Sequence, residues 1–157
     1  MNDTDKLFDR ADLSEKLFRE GYNCTQSVVL AFSDLLNVDK ATLMKICMPF
    51  GGGMGRLREV CGAVSGMFIV LGLYYGDENT DLYEEKKKIY EKVQCVAKEF
   101  EKQNGSIICR ELLNLNVKRE SFVPEKRTNE YYKKRTCITS VRSATQILNE
   151  YINNNSV

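Results

Sequence analysis

An all-α fold is what the sequence predicts: a compact multi-helix bundle around a central apolar helix at about Leu57–Tyr75. Three observations point there. Apolar residues recur at the i, i+3, i+4, i+7 spacing of a buried helix face along most of the chain, while the alternation of a strand is nearly absent. The stretch Val60 to Gly76 contains no charged residue, as expected of a helix surrounded by others. Only two prolines interrupt the pattern, and glycine or asparagine stands where the amphipathic segments end.

The first helix is expected over Thr4–Glu20, with Leu7, Phe8, Ala11, Leu17 and Phe18 on one broad apolar stripe and Gly21 as its stop. Asn23 suits the N-cap of a second helix reaching Leu36. On it Cys24, Val28, Ala31 and Leu35 are spaced i, i+4, i+7, i+11, which places the thiol at the inner edge of the apolar face. A third helix, from about Asp39 to Cys47, stops near Pro49. Phe50-Gly51-Gly52-Gly53-Met54-Gly55-Arg56 is a glycine-rich turn feeding the central helix. Asn79 or Thr80 caps a long charged helix to about Gln103, with Ile89, Val93, Val96 and Phe100 as its core stripe and Asn104-Gly105 as its end. Ser106 can cap a short helix carrying Cys109, Leu112 and Leu113. Leu115 to Thr128 is polar, contains Pro124 and reads as a loop. The last helix runs from about Asn129 or Arg135 to Ile152, with Cys137, Val141, Ala144 and Leu148 again at i, i+4, i+7, i+11. A frayed tail over 153–157 follows it.

At 157 residues and 43% hydrophobic content the chain suffices for one core, so a single helical domain over 1–157 is expected. Lysine and arginine total 23 against 22 acids, for a net charge of +1, which favours neither nucleic acid nor an anionic membrane. The segment Met1-Asn2-Asp3-Thr4-Asp5 is acidic and lacks the apolar core of a signal peptide, so a cytoplasmic protein with reduced thiols is expected. The uncharged central stretch is at the lower limit of a bilayer span, roughly 17 residues, and reads as a buried helix without membrane insertion.

No histidine is present. That removes Ser-His-Asp and Cys-His nucleophile pairs, Cys2His2 zinc sites and imidazole general bases. Thiolate is then the only soft ligand and the only strong nucleophile near neutral pH. Of six cysteines, Cys47 reads as core and Cys95, flanked on its helix by Glu91, Lys98 and Glu99, as an exposed spare thiol. Cys24, Cys61, Cys109 and Cys137 each sit at an expected helix start or on a buried stripe. None forms a C-x-x-C pair with another, so joint action requires four helices to converge. The first turn of a helix favours a thiolate at Cys24. Glycines around Cys61 let backbone N–H groups approach its sulfur, and equally let a neighbouring helix approach closely.

Cys61-Gly62-Ala63-Val64-Ser65-Gly66 reads C-G-A-x-x-G and resembles the signature of the C_GCAxxG_C_C family of redox-active proteins. Gly21-Tyr22-Asn23-Cys24 supplies the family's upstream cysteine, Phe50 to Gly55 resembles its glycine-rich turn, and Cys109 and Cys137 occupy its two downstream positions. The resemblance implies redox activity, and a similar domain in split-Soret cytochromes adds weight to an iron-sulfur centre. Two chemistries stay open. In one, an oxidoreductase-type dithiol protein, Cys24 is the attacking thiolate and Cys61 its partner, serving a redox partner or a small electron donor or acceptor. In the other, Cys24, Cys61, Cys109 and Cys137 ligate an iron-sulfur cluster or zinc, with the backbone of Gly53, Gly55 and Gly62 against the cofactor. A helical interaction module with inert thiols is the third alternative.

Overall fold

The computed structural model describes residues 9–156. Among them the chain forms eight right-handed α-helices and no strand, an all-α bundle. Helix α1 (Arg10–Arg19) is capped by Asp9, which is extended and accepts from the Ala11 and Asp12 amides. The expected first turns at Thr4, Leu7 and Phe8 lie outside the described residues. Gly21, at φ +105°, ends the helix as expected.

Helix α2 (Cys24–Leu30) opens with a reciprocal capping box, the Gln26 amide on Asn23 Oδ1 at 2.9 Å and the Asn23 amide on Gln26 Oε1 at 3.1 Å. It stops well short of the expected Leu36. Arg10 Nη1 donates to the Ala31 carbonyl at 2.7 Å, and the Leu35 amide turns instead to Phe32 O at 2.9 Å in a 3₁₀ turn over Ser33–Leu35. Helix α3 (Lys40–Cys47), capped by Asp39, ends in a second 3₁₀ turn that contains Pro49.

The central helix α4 (Gly62–Tyr75) begins five residues later than the expected Leu57. Val60 pairs antiparallel with Ile108, and the Cys61 amide donates to Ile107 O at 2.8 Å, so the backbone before Gly62 is committed to another segment. The helix is buried from Gly62 to Met67 and at Val70 and Leu71, but Gly72 and Leu73 are exposed, so it is not enclosed on all sides.

Helix α5 (Leu82–Asn104) is capped by Asp81 rather than by Asn79 or Thr80, both of which bond to Asp77 instead. Gly105, at φ +91°, ends it. Helix α6 (Cys109–Leu112) is a single turn, and the loop to Thr128 follows as expected. The expected last helix is two: α7 (Asn129–Lys134) and α8 (Cys137–Asn154), separated by an extended Arg135. Residues 153–154, expected to fray, continue α8, and Tyr75 donates to Asn155 O at 2.8 Å. Helix α2 packs on α4, α1 on α8, and α5 closes the far side of both α4 and α8. Phe18, Phe32, Met67, Leu71, Phe100 and Leu148 form the fully buried centre. Among the described residues no helix is long and apolar enough to cross a membrane.

Candidate functional site

Four helices begin around one point inside the bundle, and each begins with a cysteine. Cys24, Cys109 and Cys137 are the first residues of α2, α6 and α8, and Cys61 is the N-cap of α4. All four line one cavity, with Phe18, Leu112, Leu113 and Tyr131 as its apolar wall. Its volume is about 60 Å³, measured at the centre of a water-sized sphere. A cavity needs about 10–15 Å³ on that measure to admit one water, so the chamber has room for a small group.

Two glycines make the room. A Cβ on Gly62 would lie 2.2 Å from Cys24 Sγ, so the sulfur occupies space that any other residue would fill. A Cβ on Gly53 would lie 2.5 Å from Cys109 Cβ and 3.1 Å from its Sγ, at φ +68°. Gly66 instead lets α2 approach, since its Cβ would meet Val28 Cβ at 3.0 Å, whereas Gly72 faces open space.

The glycine-rich turn is a left-handed helical turn: φ is +70° at Gly52, +68° at Gly53, +67° at Met54, +66° at Gly55 and +68° at Arg56. The Gly55 amide closes it onto Gly51 O at 2.9 Å. Arg58 is left-handed as well, at φ +58°. Such a conformation costs about 1–2 kcal/mol for each residue with a side chain, so Met54, Arg56 and Arg58 store strain that their surroundings must offset. Glu120 does so in part. It accepts from Arg58 Nε at 2.8 Å and from Arg56 Nη2 at 3.2 Å, and the Glu120 amide donates to Arg56 O at 3.0 Å. The turn thereby aims the buried Arg58 guanidinium at the chamber, where Nη1 lies 3.5 Å from Cys109 Sγ.

Burial and mutual repulsion raise the thiol pKa values here, while helix ends and guanidinium groups oppose them. Burial pushes Cys61 well up, and charge on Cys24 pushes it further; the Val64 and Ala63 amides favour its thiolate, without a cap hydrogen bond of ordinary geometry. Burial also raises Cys109, against the hydrogen bond and charge of Arg58. Cys137 is pushed up to about 12 by burial and by charge on Cys24 and Cys109, with Tyr131 and Arg135 pulling the other way. Charge on Cys24 thus bears on each of the other three sulfurs, so the cluster tolerates one thiolate far better than two. Cys24 and Cys137 are half-buried, and Cys61 and Cys109 are buried.

Cys47 is fully buried in the core and its pKa is pushed up to about 11 by burial, whereas Cys95 is exposed on α5. Of the glycines expected to meet a cofactor, Gly62 lines the chamber, Gly53 backs Cys109, and Gly55 lines a neighbouring cleft. Sequence reasoning missed Arg58, Arg127 and Tyr131, which complete the wall. The basic aromatic run Tyr131 to Arg135 was a visible signal, but nothing local ties it to Cys24. Among the described residues no three Cys, Asp or Glu side chains are grouped closely enough to hold a metal ion.

A family model described as "Putative redox-active protein (C_GCAxxG_C_C)" matches residues 22–151, from just before Cys24 to beyond Cys137. Neither the curated proteins nor the solved structures contain a match to the chain.

Proposed function

The chain belongs to the C_GCAxxG_C_C family, and on that footing we propose that it is a dithiol redox protein in which Cys24 attacks a disulfide substrate and Cys61 resolves the product. The family supports a redox role in general. The observation that carries the specific reading is the gathering of four helix-starting cysteines around one small chamber.

Cys24 is the attacking sulfur because it is half-buried, hence reachable, and borders the other thiols, whereas Cys137, also half-buried, is pushed up to about 12 by burial. Its thiolate bonds to one sulfur of the substrate and expels the other as a thiolate, which takes a proton from water. Cys24 then carries no charge, so burial alone opposes ionisation of Cys61 where burial and the Cys24 charge did before, while the Val64 and Ala63 amides favour its thiolate. The Cys61 thiol loses its proton to the second leaving group and attacks Cys24 Sγ, which frees that group as a thiol. One substrate disulfide becomes two thiols, and Cys24 and Cys61 become a disulfide. Cys109 and Cys137 border Cys24 and serve as further exchange positions for that disulfide.

Diamide oxidation followed by peptide mapping tests this. The expected product is monomeric, lighter by two hydrogens and linked Cys24 to Cys61, and the C24S variant does not form it. Oxidation confined to Cys95, which is exposed, or unchanged thiols at all four chamber positions, overturns the proposal.

A further inference from the structure

The sulfur chamber adjoins a larger cleft, and the residues between them bear on what the dithiol reduces. Asn23, Gly52, Arg58, Arg127 and Tyr131 line both the chamber and a cleft of about 500 Å³ whose outer wall includes Arg56 and Phe122. Arg56 and Arg58 share Glu120, and Arg135 pairs with Glu125. Arg127 donates to the Phe18 carbonyl at 3.0 Å and the Tyr22 carbonyl at 3.3 Å and stacks 4.0 Å over the Phe18 ring. No carboxylate among the described residues forms an ion pair with Arg127. Three guanidinium groups, those of Arg56, Arg58 and Arg127, therefore line the cleft against the carboxylates of Glu120 and Glu125, an excess of one positive charge beside an apolar chamber.

Size and charge together select a ligand class. The chamber, at about 60 Å³, exceeds the roughly 10–15 Å³ that admits a single water and admits only a small group, such as the C–S–S–C core of a disulfide. The body of such a molecule must then lie in the cleft, where guanidinium groups recognise carboxylates by charge-assisted hydrogen bonds. Building on the dithiol reading, we infer that the substrate is a low-molecular-weight disulfide bearing carboxylates, its S–S bond in the chamber and its carboxylates against Arg56 and Arg127. The disulfide takes two electrons and becomes two thiols. Cys24 and Cys61 supply both electrons, Cys61 supplies one proton and water the other, and the two cysteines are left as a disulfide.

The test compares second-order rate constants of the reduced protein with three probes: glutathione disulfide (anionic), 2-hydroxyethyl disulfide (neutral) and cystamine (cationic). The expected order is anionic, neutral, cationic. The ratio of the anionic to the neutral rate constant falls about tenfold in R127Q, whatever factor moves both, and is partly restored in R127K. In the unaltered protein the same ratio falls as salt rises, a readout that survives if R127Q does not fold. Equal rates for the three probes, or a ratio unmoved by salt, overturn the inference. So does reduction of a protein disulfide with none of the three probes touched. If diamide still links Cys24 to Cys61 in that case, the substrate class alone is wrong; if it does not, the dithiol reading fails as well.

Discussion

Replacing Gly62 by alanine adds one methyl group where the start of α2 meets the start of α4, and the structure sets the size of the penalty. The new Cβ would stand 2.2 Å from Cys24 Sγ, 2.7 Å from Thr25 Oγ1 and 3.0 Å from Phe50 O. Comfortable contact needs about 3.5–4.0 Å, so the sulfur must retreat by more than an ångström. Little can yield. Thr25 is fully buried and its Oγ1 donates to Gly62 O at 2.8 Å, which locks the two helix starts together, and the Phe50 oxygen belongs to the backbone. Overpacking of this kind costs about 1–3 kcal/mol. Against it, alanine gains at most about 1 kcal/mol of helix propensity over glycine, and less in the first turn. The net expectation is a loss of about 1–2 kcal/mol, or roughly 0.5–1 M in the urea midpoint at a slope of about 2 kcal/mol/M. Urea titration of the reduced protein measures it. Gly72→Ala is the internal comparison: the same substitution in the same helix, with nothing within 4 Å of the added methyl. It should stabilise by about 0.5–1 kcal/mol. An unchanged or raised midpoint for Gly62→Ala would refute the steric argument, as would shifts of the same sign in both variants.

Buried thiols also make stability pH-dependent. Burial raises Cys47 to about 11 and Cys137 to about 12, and lifts Cys61 and Cys109 as well. Above an unfolded thiol pKa of about 8.5–9 the unfolded chain holds fewer protons than the folded one, so stability is complete below that pH and falls as pH rises toward the folded values, by at most about 1.4 kcal/mol per pH unit for each thiol. Urea midpoints measured in reducing buffer between about pH 8 and pH 10 should decline, and a flat profile would contradict the burial assigned to these sulfurs. Glu120→Ala leaves Arg56 and the buried Arg58 without their shared carboxylate. We expect a loss of about 2–3 kcal/mol and faster tryptic cleavage within 115–128, with Glu120→Gln, which keeps an acceptor, less affected. Unchanged cleavage in both variants would mean that Glu120 does not anchor the loop.

Much of the helical layout was legible because its signals are local. Gly21 and Gly105 end helices, and Asn23 and Asp39 begin them, through contacts spanning only a few residues. The errors share an opposite origin. Helix α2 ends early because Arg10 takes the Ala31 carbonyl, and α4 starts late because Val60 pairs with Ile108; in both cases the competing partner is distant in sequence. The cysteines of the candidate site were visible for a chemical reason, since a chain without histidine leaves sulfur as its principal nucleophile and soft ligand. Arg58 and Arg127 were not visible, because an arginine shows its role only once its partners are known, and theirs include Cys109 and Phe18.

By itself, the sequence determined that this chain forms amphipathic helices and that its reactive atoms are thiols at or near helix starts. Periodicity, capping and side-chain chemistry act over a turn or two, so they need no tertiary context. The tertiary structure alone decided that four of those starts share one chamber, that Gly62 and Gly53 make space for two of its sulfurs, and that guanidinium groups border it. Such contacts close long loops at an entropic cost that only formation of the whole core repays, which is why no single segment of the sequence announces them.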